Sequence, residues 1–189
     1  MKYTLVLKNS KELRQRAKPV AFPIDDSVHN CIEECINTLR RVEGFHAGKG
    51  LSLSAPQVGF DMRLFVVTNP SNWNNPRRKY RQFTTLINPQ IVTTSEESIA
   101  LWESCLSFPD YIALVERPKE VLFRFYDVKG NELKIRAEGA VARILQHEMD
   151  HLEGVLMEDV AKDFMPVRNI DTKEKFLRFY RANKEQILL

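Results

Sequence analysis

Two stretches of the chain carry hydrophobic residues at spacings of three and four, which is typical of an amphipathic helix. The first begins at Asp25 or Asp26, either of which can cap a helix, and ends near Gly44. Its apolar positions are Val28, Cys31, Ile32, Cys35, Ile36, Leu39 and Val42. The second ends at Gly154, with apolar positions Ala140, Val141, Ile144, Leu145, Met149 and Leu152. The pattern therefore predicts two core-facing helices.

Shorter runs rich in β-branched and aromatic residues predict strands at residues 63–68, 84–93, 97–102, 112–115, 120–127 and 131–136. Lys129-Gly130-Asn131 predicts a hairpin turn between the last two. A short strand is expected at residues 3–7. A last helix is expected from about residue 172, with apolar positions Phe176, Leu177, Phe179, Tyr180 and Ile187. With no repeat and no break in composition, we expect a single domain over residues 1–189.

Composition narrows the class of protein. A chain of 189 residues with 43% hydrophobic residues can bury a core, and no apolar run approaches the length of a membrane helix or signal peptide. Cys31 and Cys35 share a helical spacing that does not suggest a disulfide framework. The net charge of +3 is spread along the chain, and the basic run at residues 77–81 is predicted as a solvated loop, with ribosomal RNA contact as the alternative. We expect a cytoplasmic protein with no specific DNA partner and no membrane partner.

The second predicted helix contains an H-E-x-x-H motif. A spacing of four places His147 and His151 on one face, where both imidazoles can bind one metal ion beside the carboxylate of Glu148. Two chance histidines are the alternative, although the chain has only four histidines. Two imidazoles alone hold zinc or iron weakly, so a third protein ligand is expected.

Cys105 is the natural third ligand, because it is the only cysteine outside the first helix and lies where a predicted strand gives way to a turn at Pro109. A thiolate and two imidazoles leave one open position, as in catalytic sites. A buried, inert thiol is the alternative. Residues 48–59 are rich in small side chains, which let a peptide-like substrate approach the backbone, although such segments are more often plain loops.

Three segments together resemble the three motifs of the peptide deformylases: Ala-Pro-Gln at 55–57, Glu-Ser-Cys-Leu-Ser at 103–107 and Gln-His-Glu-Met-Asp-His at 146–151. The resemblance implies an α+β fold, with antiparallel β-sheets packed around a central helix that carries H-E-x-x-H, an N-terminal core helix and a C-terminal helix. It also implies removal of the formyl group from formylmethionyl N-termini of nascent polypeptides, by a monomer with the ribosome as a partner.

The same resemblance implies Cys105, His147 and His151 as metal ligands. Glu148 would take a proton from the attacking water and pass it to the leaving amine. The donors that stabilise the oxyanion would be the Gln57 side chain and the Leu106 backbone N–H. Iron(II) is the implied native metal, and zinc, nickel or cobalt could occupy the same ligand set. Substrate contacts are implied for Gly50, Leu51, Ser52, Leu101, Ser104 and Ile144, and supporting roles for Glu103 paired with Arg117 and for Gln146.

The chain departs from the family pattern near this site. Ser52 and Ser104 replace glycines and Ser54 replaces an alanine, so we expect backbone differences where glycine would allow positive φ. Arg143, one turn before His147, stands where the family usually has an apolar residue lining the methionine pocket. A cation there would disfavour methionine unless it points to solvent. We expect an active deformylase and hypothesise an altered substrate preference.

Two other readings remain open. H-E-x-x-H is also the signature of zinc peptidases, but their third ligand usually lies downstream, whereas Cys105 lies upstream of the motif. The second alternative is a catalytically silent deformylase paralogue that binds peptide N-termini. The residues that favour this alternative are Ser52, Ser104 and Arg143.

Overall fold

The computed structural model describes residues 5–7, 9–41, 51–69, 82–167 and 173–183. The helices in these ranges are α1 (Asp26–Arg41), α2 (Gly139–Leu152), the single-turn α3 (Met157–Val160) and α4 (Lys173–Asn183). The strands are β1 (Ser52–Ser54), β2 (Leu64–Thr68), β3 (Phe83–Thr94), β4 (Ser98–Cys105), β5 (Phe108–Pro118), β6 (Glu120–Tyr126), β7 (Glu132–Glu138) and β8 (Ala161–Pro166). Short 3₁₀ turns cover Lys11–Arg14 and Ala55–Val58.

The strands form two antiparallel sheets, one of five strands in the order β1-β2-β3-β6-β7 and one of three in the order β4-β5-β8. Helix α2 contacts strands of both sheets, including β1, β5 and β7. Phe65 and Phe123 of the larger sheet are fully buried in the cluster that also holds Leu145 and Leu152 of α2. The predicted α+β fold with antiparallel sheets is therefore confirmed, and in this chain the helix that contains residues 147–151 contacts both sheets.

Helix α1 packs against β1 and β2 of the larger sheet. Its predicted stripe is buried at Val28, Cys31, Ile32, Cys35 and Leu39, and these residues pack with Leu53 of β1 and Leu64 of β2. Both cysteines are fully buried free thiols, as expected for small hydrophobic residues.

Six of the predicted strands correspond to β2 through β7, but several details were wrong. Pro109 lies inside β5, and the turn after Cys105 consists of residues 106–107. Residues 5–7 belong to no strand, although the Val6 N–H donates to the Gln57 carbonyl at 2.9 Å. Strands β1 and β8 were not predicted. Gly44, Gly50, the basic run at 77–81 and the predicted helix end near Ile187 lie outside the described residues.

Helix α2 is bounded by glycines at both ends. Gly139 opens it with φ of +57°, and Gly154 follows its end with φ of +73°. The chain reverses there, because the Val155 N–H donates back to the Asp150 carbonyl at 2.9 Å. The N-terminal arm crosses this end, so that a Cβ on Gly154 would lie 2.7 Å from the Arg14 carbonyl oxygen. None of the helices in the described ranges is long and apolar enough to cross a membrane.

We predict that Gly154→Ala lowers the free energy of unfolding more than Gly139→Ala does. Both changes place a side chain at positive φ, at a cost of about 1 kcal/mol. Only Gly154→Ala adds a clash with the Arg14 backbone, whereas a Cβ on Gly139 meets nothing within 4 Å. Urea unfolding of both variants measures the difference. Equal losses would contradict close packing of the arm on the end of α2.

Candidate metal centre

The three predicted ligands meet in the interior. Cys105 is the last residue of β4, and His147 and His151 lie one turn apart on α2. One ligand atom from each, the Cys105 Sγ and one ring nitrogen of each histidine, lies within 4.8 Å of the other two. The Cys105 Sγ is 3.2 Å from the His151 Nε2, and the two imidazole rings are nearly perpendicular, at 83°. The two histidines and the thiol therefore converge on one point.

The electrostatics of this cluster suit a cation. Burial opposes ionisation of the Cys105 thiol, but His151 and His147 hold the pKa of Cys105 well below its usual value. Burial likewise opposes protonation of His147, yet Cys105 and Glu103 hold the pKa of His147 well above its usual value. These contacts favour the thiolate form of Cys105, which is the form that binds a metal ion.

The donor set indicates which ions fit. A thiolate and two imidazoles are the soft and borderline donors that zinc, iron(II), cobalt and nickel prefer. The Nδ1 of His151 and the Oε2 of Glu148 are buried and have no hydrogen-bond partner among the described residues. Buried polar atoms rarely stay without a partner, so the Glu148 Oε2 beside the three ligands marks a site adapted to another group. The residues therefore fit one divalent transition-metal ion.

Glu103 of β4 forms a hydrogen bond with the imidazole of His147. Its Oε2 accepts a hydrogen bond from the His147 Nδ1 at 3.0 Å, which leaves the Nε2 of that ring for a metal. Arg117 of β5 binds the same carboxylate through two nitrogens, at 2.6 Å and 3.0 Å, and also binds Asp150 of α2 at 2.8 Å. Burial opposes ionisation of Glu103, but His147 and Arg117 keep the pKa of Glu103 far below its usual value.

Arg143 joins this network, which the sequence did not indicate. It is only 6% exposed, and its guanidinium donates to Glu103 Oε1 at 2.6 Å, to the Val115 carbonyl at 2.9 Å and to the Ile99 carbonyl at 2.6 Å. The arginine therefore neither points to solvent nor stands as an uncompensated cation. The only available signal was its place one turn before His147 on the same face of α2.

Glu148 lies beside the ligands and is 2% exposed. Burial raises the pKa of Glu148, although His147 and His151 act in the opposite direction. Its Oε1 accepts a hydrogen bond of 2.6 Å from the Ser52 hydroxyl. One carboxylate oxygen is thus held by β1, and the other has no partner among the described residues.

Ser52 and Ser104 are accommodated without backbone strain. Ser52 lies in β1 and Ser104 in β4, and among the described non-glycine residues only Asn88 has a positive φ. Neither serine therefore occupies a backbone conformation that requires glycine. Strands in ordinary extended conformation accept serine as readily as glycine.

Gln57 points its amide nitrogen at the centre. Its Nε2 is 3.4 Å from the Cys105 Sγ and 3.2 Å from the Ser107 hydroxyl. Its Oε1 accepts hydrogen bonds from both the backbone N–H and the hydroxyl of Ser54, each at 2.9 Å, and these fix the orientation of the amide. Leu106 is the residue after Cys105 and packs against the α1 core. Both predicted oxyanion donors therefore lie next to the thiol ligand.

The remaining predicted positions differ in their burial. Gln146 donates to the Pro118 carbonyl at 3.0 Å and so ties α2 to the end of β5. Leu101 of β4 is 3% exposed, and Ile144 of α2 is half-buried. Leu51 is also half-buried and precedes β1. Gly50 lies outside the described residues.

A buried thiolate and two imidazoles from one helix, with a carboxylate next to them, define a metal-dependent hydrolase centre. Comparison with known proteins identifies the family. The sequence profile of the polypeptide deformylase family matches residues 2–166, which is most of the chain. The chain belongs to this family, whose members are metal-dependent hydrolases that remove the N-formyl group from nascent chains. This membership favours neither the zinc peptidase nor the silent paralogue.

Individual relatives agree. A peptide deformylase of Thermomicrobium roseum is 34% identical over 172 residues, which cover 91% of this chain and 93% of the relative. The crystal structure of the Thermotoga maritima peptide deformylase is 32% identical and covers 86% of this chain and 99% of its own, with a TM-score of 0.72. A Synechococcus elongatus peptide deformylase in complex with actinonin is 30% identical and covers 95% of this chain and 85% of its own, with a TM-score of 0.70.

We predict that Cys105→Ala abolishes tight metal binding and that Cys31→Ala, the same change at another buried thiol, does not. The loss should exceed the roughly 10- to 100-fold that removal of an outer hydrogen-bond partner costs, because a ligand itself is removed. Elemental analysis after dialysis measures the bound metal per chain. Equal metal content in the two variants would contradict Cys105 as a ligand.

Proposed function

We propose that this chain removes the formyl group from formylmethionyl N-termini of nascent polypeptides, at a metal ion held by Cys105, His147 and His151. The observation that carries the proposal is the convergence of these three ligand atoms within 4.8 Å, next to the buried carboxylate of Glu148. We further propose iron(II) as the native ion, with zinc, nickel or cobalt as substitutes, and a monomeric, cytoplasmic enzyme that acts on chains at the ribosome.

A divalent ion in such a site acts as a Lewis acid and brings the pKa of a coordinated water towards about 7. In the proposed reaction Glu148 accepts one proton of the attacking water as the oxygen bonds to the formyl carbon. The same carboxyl then gives that proton to the amide nitrogen as the C–N bond breaks, so that formate and a peptide amine are released. The Glu148 Oε2, which has no partner among the described residues, is the oxygen suited to this transfer.

The oxyanion that forms on the formyl oxygen needs donors in place before the reaction. The Gln57 Nε2 and the backbone N–H of Leu106 are the proposed pair, on either side of Cys105. The Gln57 amide is already oriented by its two hydrogen bonds from Ser54, so little reorganisation is required. Such a donor typically contributes about 3 kcal/mol to transition-state stabilisation.

Strand β1 has a backbone edge with which an extended substrate could pair. This strand pairs with β2 on one side, and no other described strand pairs with its second side. The Thr68 N–H donates to the Leu51 carbonyl at 2.6 Å, so in an alternating antiparallel ladder the backbone groups of Ser52 face away from β2. An extended peptide can add there as a further strand. The side chains proposed to contact it are those of Leu51, Ser52, Leu101, Ser104 and Ile144, together with the Gly50 backbone.

We predict that the iron-loaded protein, assayed under nitrogen, releases formate from formyl-Met peptides and that Glu148→Gln abolishes this turnover while metal stays bound. Glutamine keeps an acceptor for Ser52 but cannot shuttle a proton. Anaerobic conditions matter because iron(II) beside a thiolate oxidises readily.

A panel of formyl-X peptides measures which side chain the enzyme prefers after the formyl group. Actinonin, which is bound by the Synechococcus elongatus relative, should inhibit the turnover.

Three results would contradict this function. Binding of formyl peptides without formate release would indicate the silent paralogue. Cleavage of an internal peptide bond, with no action on formyl groups, would indicate the zinc peptidase. Loss of metal in Glu148→Gln would show that the carboxylate serves the metal site instead of proton transfer.

We predict that Ser52→Ala lowers kcat by about tenfold, because the Glu148 carboxylate loses the hydrogen bond that holds its Oε1, worth roughly 1.5 kcal/mol or more for a charged acceptor. Ser52→Thr keeps the hydroxyl and should retain most activity. Metal content should be the same in both. Steady-state kinetics with one formyl-Met peptide tests this, and an Ala variant as active as the Thr variant would rule out a positioning role for Ser52.

A further inference from the structure

We propose that Arg143 is a positioning residue of the metal centre: it acts through Glu103 to hold His147 and joins the element that carries two ligands to the hairpin that carries the third. The proposal rests on the proposed metal centre but not on the substrate that the centre hydrolyses.

The Glu103 carboxylate determines the orientation of one ligand ring. The Nδ1 of His147 donates to it, whereas the Nδ1 of His151 has no partner among the described residues. Four donors reach the two oxygens: Arg117 and Arg143 each at 2.6 Å from Oε1, and Arg117 and His147 each at 3.0 Å from Oε2. A carboxylate offers about four lone-pair positions, so this one is fully occupied and held in one orientation.

Arg143 also joins α2, which carries His147 and His151, to the hairpin that carries Cys105. It lies on α2, and its remaining contacts are the Ile99 carbonyl of β4 at 2.6 Å and the Val115 carbonyl of β5 at 2.9 Å. Cys105 ends the same β4 strand. The guanidinium thus fixes α2 against both strands of the β4–β5 hairpin, and the separation of the thiol from the imidazoles depends on that contact.

The charge balance supports a specific role for this cation. Burial lowers the pKa of Arg143, but a guanidinium stays charged at neutral pH and needs a compensating anion. Arg117 and Arg143 are matched by Glu103 and Asp150, so that each of the two guanidinium groups has a carboxylate partner in the network. An apolar side chain at Arg143 would remove one donor from the carboxylate that holds His147.

Arg63 provides a matched control, because it is another buried arginine that contacts α2 and its described hydrogen-bond partners include neither Glu103 nor a metal ligand. It is 7% exposed and binds Glu153 at 2.6 Å and the Pro89 carbonyl at 3.1 Å. Replacement of Arg63 removes a buried cation with a carboxylate and a carbonyl partner. It leaves the Glu103 network untouched.

The test compares cobalt(II) binding by the metal-stripped wild-type chain, Arg143→Met and Arg63→Met. Affinity is measured by competition with a chelator, and the visible absorption of the cobalt complex reports its geometry. We expect Arg143→Met to bind cobalt roughly 10- to 100-fold more weakly, the usual effect of losing an outer partner of a ligand, with altered absorption bands. Arg63→Met should lower the unfolding free energy and keep wild-type affinity and spectrum.

The proposal is overturned if Arg143→Met binds cobalt as tightly as wild type, or if Arg63→Met loses as much affinity. Where Arg143→Met does not fold, Arg143→Lys decides, because an ammonium cannot reproduce the planar fork of donors. Weaker cobalt binding by the lysine variant supports the role, and wild-type affinity refutes it. The measurement uses no substrate, so a wild-type chain that binds cobalt but fails to deformylate refutes the proposed function alone.

Discussion

The contact between α2 and the β4–β5 hairpin is the constraint on which the site depends. Two ligands lie on the helix and the third ends β4, so the three atoms meet only when these elements pack in one register. A buried carboxylate, that of Glu103, stands in this contact. Burying such a charge is costly unless it is fully compensated, and two arginines and one imidazole supply the compensation here. The polar network therefore fixes the packing of α2 against the hairpin. The geometry of the metal site depends on that packing.

The hydrogen-bond partners of the proposed catalytic groups are distributed unevenly, and at Glu148 the distribution suits the proposed proton transfer. His147 and one oxygen of Glu148 are held by protein donors or acceptors, whereas His151 Nδ1 and the second oxygen of Glu148 have none among the described residues. A fully satisfied carboxylate could not exchange protons without breaking a bond. One fixed oxygen and one open oxygen give orientation and reactivity in the same side chain.

Sequence periodicity could predict α1 and α2, and the H-E-x-x-H motif and the position of Cys105 could predict the ligands. Each of these signals is contained in a short stretch of the chain. The turn-by-turn pattern places His147 and His151 together, and the position of Cys105 at a strand end made it the natural third donor. Strand β1 was not predicted because its three residues, Ser-Leu-Ser, are too few to carry a pattern, and β8 was not predicted because its apolar and polar residues do not alternate and none of its residues is buried. The contacts of Arg143 with Glu103 and of Ser52 with Glu148 join residues 40 and 96 positions apart. Only the folded topology reveals such pairs.

The partners of Ser52 and Arg143 bear on whether the chain is active. Had these two residues lain at the site without partners, a half-buried hydroxyl and a buried cation would destabilise it, as expected in a paralogue that has lost its activity. Each instead binds a residue of a family motif, Ser52 the Glu148 carboxylate and Arg143 that of Glu103. The guanidinium is also neutralised within the hairpin, so it does not present an uncompensated charge to a methionine side chain. These contacts reinforce the groups that a deformylase needs, which argues for a working enzyme over a silent binding protein.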